Sequence, residues 1–351
     1  MLSAGYAFLA AYLKGEESKM VSAEHMDAIF RNSKVQDALV SIKDTDMGGY
    51  FEEVSPSALA TFDDVDLHLW LYLGKCLDQF KWFSIVPKEV RQVVAAHVVK
   101  YDVSNVKVAL RGLDTEEKVR MIPVGVIHNA EMLESLSGAE TVDDIIQVLV
   151  QSNLSPYAAI LKESEEALTQ SSKQRLAVEA ELDKQYYADV LASAKKMKDG
   201  KQFLTIQGVV TDYINLQVIF RAVINGIGPE ASGYLIAGGS DLSAEIMADL
   251  LNTKFGDLLG KLESTRYKEV AEELTVNYDR THSITVVDEV IEMHKFTYIR
   301  EMVSTKILSP LLMSWYLVLK ELEVRNVRLI LKAISDDVPY EKIKDYLVLS
   351  S

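Results

Sequence analysis

The chain has 351 residues, 48 % hydrophobic and 25 % charged, with seven prolines and one cysteine. Its formal net charge is −15, from 52 acidic against 37 basic side chains. Such a composition excludes a disordered chain and internal disulfides, and the acidity argues against a nucleic-acid backbone or anionic lipid as the main partner.

In chain order, residues 2–13 lack a basic flank and a cleavage site, so they read as a first helix and not as a signal peptide. Ser22 is an N-cap candidate with acids just behind it. Thr141 with Asp143 and Asp144, and the stretch 241–251, begin the same way. Residues 158–198 and 267–302 read as long, charged, mostly solvated helices, each broken about once. Ser283-Ile-Thr-Val-Val is β-branched but runs into an amphipathic stretch and is expected to open a helix. Residues 225–233 hold three glycines and a proline, which is turn chemistry. The longest charge-free apolar run near the C-terminus, 307–319, is too short to cross a bilayer, which needs about 20 residues. No membrane span is expected.

One ten-residue pattern occurs three times. The copies are Asp102-Val-Ser-Asn105-Val-Lys107-Val-Ala-Leu-Arg111, Asp212-Tyr-Ile-Asn215-Leu-Gln-Val-Ile-Phe-Arg221 and Glu323-Val-Arg-Asn326-Val-Arg328-Leu-Ile-Leu-Lys332. A small residue follows each: Gly112, Ala222 and Ala333. The asparagines lie 110 and 111 residues apart, about a third of the chain. A second landmark recurs with them: Ile42, Thr45 and Tyr50; Leu149, Ser152 and Tyr157; Leu262, Thr265 and Tyr267. Glycines at Gly15, Gly125 and Gly238-Gly239 are expected to open the units. Together these predict an all-α protein of three duplicated modules, 1–117, 118–230 and 231–351, and not a short-repeat solenoid.

On a helix the acid, the Asn and the small residue share one face, with apolar faces beside it. That stripe is expected to point inward. A buried Asn must find partners or cost about 1–3 kcal/mol, so its expected role is to fix helix register, with the small residue admitting a second helix. Arg111, Arg221 and Lys332 lie off the stripe, open either to internal ion pairing or to partner contact.

The search for chemistry is negative. The six histidines show no metal spacing, and one cysteine builds no zinc site. No phosphate loop or dinucleotide fingerprint is present. Asp63-Asp64-Val-Asp66 is half of an acidic Mg²⁺ motif, without the second half, at an expected helix start. No catalytic residue, cofactor site or small-molecule substrate is expected.

Residues 101–112 resemble the D-x-x-N-I-K-x-x-L-R-G signature of the C subunit of archaeal and bacterial A/V-type ATP synthases, a relative of the d subunit of the vacuolar ATPase. Residues 315–330 resemble the same family's K-E-x-E-x-R-N-I-R-x-I segment, and Glu179-Ala-Glu-Leu-Asp183-Lys-Gln-Tyr-Tyr187 its E-x-x-L-D-x-x-Y element. This chain departs from the pattern in having no arginine in its first helix, Gln217 in place of a base, and Lys332 in place of Arg. The resemblance implies a funnel of three pseudo-threefold-related helical modules. It also implies a non-catalytic protein on the cytoplasmic face of the membrane, coupling the rotor ring to the central shaft for proton- or sodium-driven ATP synthesis. A free-standing helical scaffold for cytosolic proteins and an all-α enzyme with an apolar substrate are the alternatives.

Overall fold

The computed structural model describes residues 4–81, 85, 87–115, 120–170, 172–197, 200–304, 309 and 311–348. Among them every regular element is a helix, so the protein is all-α. Helix α1 (Ala4–Glu17) is followed by the short helices α2 (Ala23–Phe30), α3 (Val35–Val40) and α4 (Asp46–Glu52), then by α5 (Phe62–Asp78) and the long α6 (Lys88–Gly112). Next come α7 (Ala130–Ser137), α8 (Val142–Gln151), α9 (Ser155–Glu163), α10 (Glu165–Gln170), α11 (Ser172–Lys195) and α12 (Lys201–Ile224). The remaining helices are α13 (Ala244–Leu251), α14 (Phe255–Leu262), α15 (Lys268–Thr281), α16 (Thr285–Ser304) and α17 (Leu311–Ser335). Each motif copy thus lies on a helix of 24 or 25 residues: α6, α12 and α17.

Local chemistry explains the helix starts. The side chains of Ser22, Asn129 and Ser243 cap α2, α7 and α13 by accepting backbone N–H groups of the first turn. Thr61 with Asp64 and Thr141 with Asp144 form reciprocal capping boxes on α5 and α8. Asp64 therefore serves a helix end, not a cation. The charged stretch 158–198 breaks at Ser164, between α9 and α10, and residue 171, between α10 and α11, lies outside the described residues. The stretch 267–302 breaks once, at His282, whose φ of 51° is left-handed. The β-branched segment after Ser283 does open a helix, α16. Gly125 and Gly238 have φ of 133° and 97°, as a glycine turn requires. Gly15 instead lies inside α1 with open space beside it, so it is not their counterpart.

The chain divides into two compact units. One comprises Met1–Val94, Ile122–Gly125 and Val303–Ser351, the other Ala95–Met121 and Val126–Met302. In the first, α17 packs against α1, α2, α3 and α5. Leu9, Leu13, Ile29, Ile42, Leu69, Leu73 and Tyr316 are buried there. In the second, Val209, Leu216, Ile219 and Phe220 of α12 share a core with Leu250, Leu258, Leu274, Val287 and Ile291. Helix α11 packs against α9 and α12.

By length and composition, α12 alone among the described residues could cross a membrane. However, 61 % of its most apolar window is buried inside the protein, and Asp212 and Asn215 sit hydrogen-bonded at its middle. It is a core helix, apolar on several faces because several elements cover it. Of the apolar run 307–319, residues 307, 308 and 310 lie outside the described residues, and 311–319 begin α17.

Thr61→Ala removes the hydroxyl half of the α5 capping box, which accepts the Asp64 N–H, and leaves the Thr61 N–H on the Asp64 carboxylate. We expect a loss of about 1 kcal/mol in chemical denaturation, with unchanged helical circular dichroism.

Candidate functional site: the triplicated motif helices

The three acids of the motif are buried, with Asp102 1 %, Asp212 0 % and Glu323 3 % exposed. A buried carboxylate needs donors, and here they come chiefly from loop backbone. Asp102 accepts the N–H groups of Val126 and Ile127, each at 2.8 Å. Asp212 accepts those of Ser240 at 2.9 Å and Asp241 at 2.7 Å, and the Tyr267 hydroxyl at 2.6 Å. Glu323 accepts the N–H of Val21 at 2.8 Å and the Lys320 ammonium at 3.0 Å. All three acceptors thus bind the segment just ahead of a capped short helix: α7, α13 or α2. A Cβ on Gly239 would stand 1.9 Å from Asp212 Oδ1, so only glycine lets that loop approach.

Asn215 and Asn326 each hold both sides of one backbone residue. Asn215 donates to Ile236 O and accepts from Ile236 N, both at 2.8 Å. Asn326 donates to Val348 O at 2.8 Å and accepts from Val348 N at 3.4 Å. Asn105 is equally buried, 1 % exposed. The amides of Asn215 and Asn326 do not fix helix–helix register, as the stripe suggested; they clamp a loop 21 or 22 residues along. The small residues also differ. Ala222 and Ala333 are buried, but a Cβ on Gly112 would meet nothing within 4 Å, so close helix approach does not explain that glycine.

The basic ends of the motif are engaged within the chain. Lys107 pairs with Asp183 and Arg111 with Glu179, both on α11. Gln217 donates to Asp288 of α16 at 2.6 Å, and Arg221 pairs with the same carboxylate. Arg328 pairs with Asp66 of α5, while Lys332 pairs with Asp336 at 2.9 Å and lies 5.2 Å from the Phe62 ring. Asp66, the last acid of the suspected cation motif, is thus an ion-pair partner. No group of three His, Cys, Asp or Glu among the described residues is placed to hold a metal ion. Most of these pairs are partly exposed, so each contributes at most about 1 kcal/mol. Their value lies in pattern: α6 is bridged to α11, α12 to α16, and α17 to α5.

Sequence reading missed Tyr72, Lys320, Tyr267 as a carboxylate donor, and the close approach of Gly239, named only as a unit opening, to Asp212. One signal was available for Lys320. It occupies the position six before the asparagine, where the other copies have Val99 and Val209.

The profile of the family described as ATP synthase (C/AC39) subunit matches residues 9–346. The chain belongs to this family. Similar proteins include the C subunit of the A-type ATP synthase of Methanocaldococcus jannaschii, 27 % identical over 98 % of this chain and 86 % of that one. The C subunit from Methanobrevibacter smithii is 29 % identical over 78 % and 73 %. That of Pyrococcus abyssi is 24 % identical over 97 % and 89 %. Members of the C/AC39 family are non-catalytic parts of a membrane-associated ATP synthase complex.

Burial lifts the Asp102 carboxyl from 3.8 to about 6, against the pull of its two N–H donors. A carboxyl raised in the folded state favours folding fully below about pH 4, and that contribution is lost as pH rises through 6. We expect it to amount to up to about 3 kcal/mol. Asp102→Asn should flatten this part of the stability curve when denaturation midpoints are measured from pH 4 to 7. Asn215→Leu strands both backbone groups of Ile236 and should cost about 2–4 kcal/mol. Arg221→Ala should cost under about 1 kcal/mol in the same assay.

Proposed function

We propose that this chain is the central-stalk component of a rotary A-type ATP synthase, joining the membrane rotor ring to the central shaft at the cytoplasmic face of the membrane. It passes torque between them for proton- or sodium-driven ATP synthesis and is itself non-catalytic. The family match across residues 9–346 is the observation that carries this reading. The cyclic order of the motif contacts supports a funnel of three modules, 1–117, 118–230 and 231–351. Copy one binds loop 126–127 and α11, copy two loop 240–242 and α16, and copy three Val21 and α5. A torque-bearing part needs internal bracing of this kind.

The polar residues of the motif are used inside the chain. Asp102, Asn215, Arg221, Glu323, Asn326 and Arg328 brace modules and are not proposed as partner contacts. The net charge of −15 suits docking of basic surfaces, which acts mainly on association rate.

The test is a pull-down of the tagged full chain from detergent-solubilised membranes of its native source. Shaft and ring proteins are expected together in the eluate. Recovery of soluble proteins alone, with neither of these, would end the rotary reading and leave a cytosolic scaffold. Association with the isolated shaft should slow as salt rises past about 0.15 M, where the Debye length falls below roughly 8 Å.

A further inference from the structure

The three motif junctions share one plan and differ at one residue. Where copies one and two have Val99 and Val209, copy three has Lys320, which is 0 % exposed. Its ammonium donates to Tyr72 Oη at 2.7 Å and Glu323 Oε2 at 3.0 Å, and lies 5.1 Å from the centre of the Tyr72 ring. The Tyr72 hydroxyl is itself 3.5 Å from the same carboxylate oxygen, and the Val21 N–H holds the other. Burial pushes the Glu323 carboxyl up, and Lys320 and the Val21 N–H pull it back.

The difference follows chain connectivity. Asp102 binds backbone 24 and 25 residues onward, and Asp212 binds backbone 28 to 30 residues onward. A short covalent segment therefore keeps each of those junctions together. Glu323 binds Val21 across 302 residues, so no linker assigns α17 to its place. Three helices of similar sequence are present while the chain folds, and only this junction must be found by recognition alone.

A buried ion pair is a weak source of net stability, because desolvation offsets attraction, but an unmatched buried charge is heavily penalised. Docked where α6 or α12 belongs, α17 would leave Lys320 without Tyr72. Placed against α5 in its stead, α6 or α12 would set a valine against the Tyr72 hydroxyl. Each error buries an unsatisfied polar group, while the correct pairing satisfies all three.

We propose that Lys320, Glu323 and Tyr72 form a pairing code that assigns α17, and no other motif helix, to α5 and the Val21 loop. A chain that mispairs here leaves its α5 surface bare for the α17 of another molecule. That contact either closes as a reciprocal swap or continues as an open chain, so loss of the code is read as oligomers in both cases. This role is independent of the rotary assignment.

The test is refolding of the full chain from denaturant over a range of protein concentrations, with the monomer fraction read by size-exclusion chromatography with light scattering. A double variant, Lys320→Met with Glu323→Gln, removes both charges at similar volume. Its monomer recovery is expected to fall several-fold relative to wild type, more at higher concentration. Asp212→Asn, at a junction that a linker enforces, should lower the denaturation midpoint without lowering monomer recovery. Wild-type recovery in the double variant overturns the code, as does an equal loss in Asp212→Asn. If the double variant yields no folded protein, Tyr72→Phe makes the same comparison, with loss supporting the code and full recovery overturning it.

Discussion

A carboxylate sealed from water must be answered by donors, and in this protein three such carboxylates organise the chain. Each sits mid-way along a long helix and takes loop N–H groups that precede another helix. Because a stranded carboxylate is so costly, each loop is held to one position, and the N-cap that follows inherits it. The helix ends, the short helices they start and the core those helices cover are all downstream of that contact.

The three sites meet the same demand differently. Asp102 has two backbone donors, and burial still raises it to about 6. Asp212 adds the Tyr267 hydroxyl, whose own proton burial and the nearby carboxylate hold more tightly than usual. Glu323 gains the Lys320 cation. Cys76, in the same neighbourhood, is pushed up to about 11 by burial, which keeps its thiol protonated and unreactive.

Much of this was legible in the sequence. Helical periodicity and cap residues marked α2, α8 and α13, and the acid–Asn–base pattern marked three buried stripes. What stayed hidden was the other half of each contact. A backbone N–H carries no sequence signature, so nothing in Val126, Ser240 or Val21 announces that a carboxylate waits for it. The same invisibility misdirected the Asn reading towards helix register, since Ile236 and Val348 take part only through their peptide groups. Lys320 was hidden for another reason: lysine is rarely buried fully, and its neighbours Trp315 to Leu319 look like an ordinary apolar helix. Gly15 misled because glycine spacing alone does not distinguish a turn from a tolerated helix position.

The forward direction of the carboxylate contacts also bears on where the chain can be divided. Each motif acid serves the loop of the following third, the last one returning to the first. A polypeptide of about one third this length would hold a motif helix and a docking loop that belong to different partners. Cut out of the chain, such a third would hold both halves of the contact with neither answered inside it. Two of the three contacts are spanned by segments of 24 to 30 residues, and the third joins positions 302 residues apart.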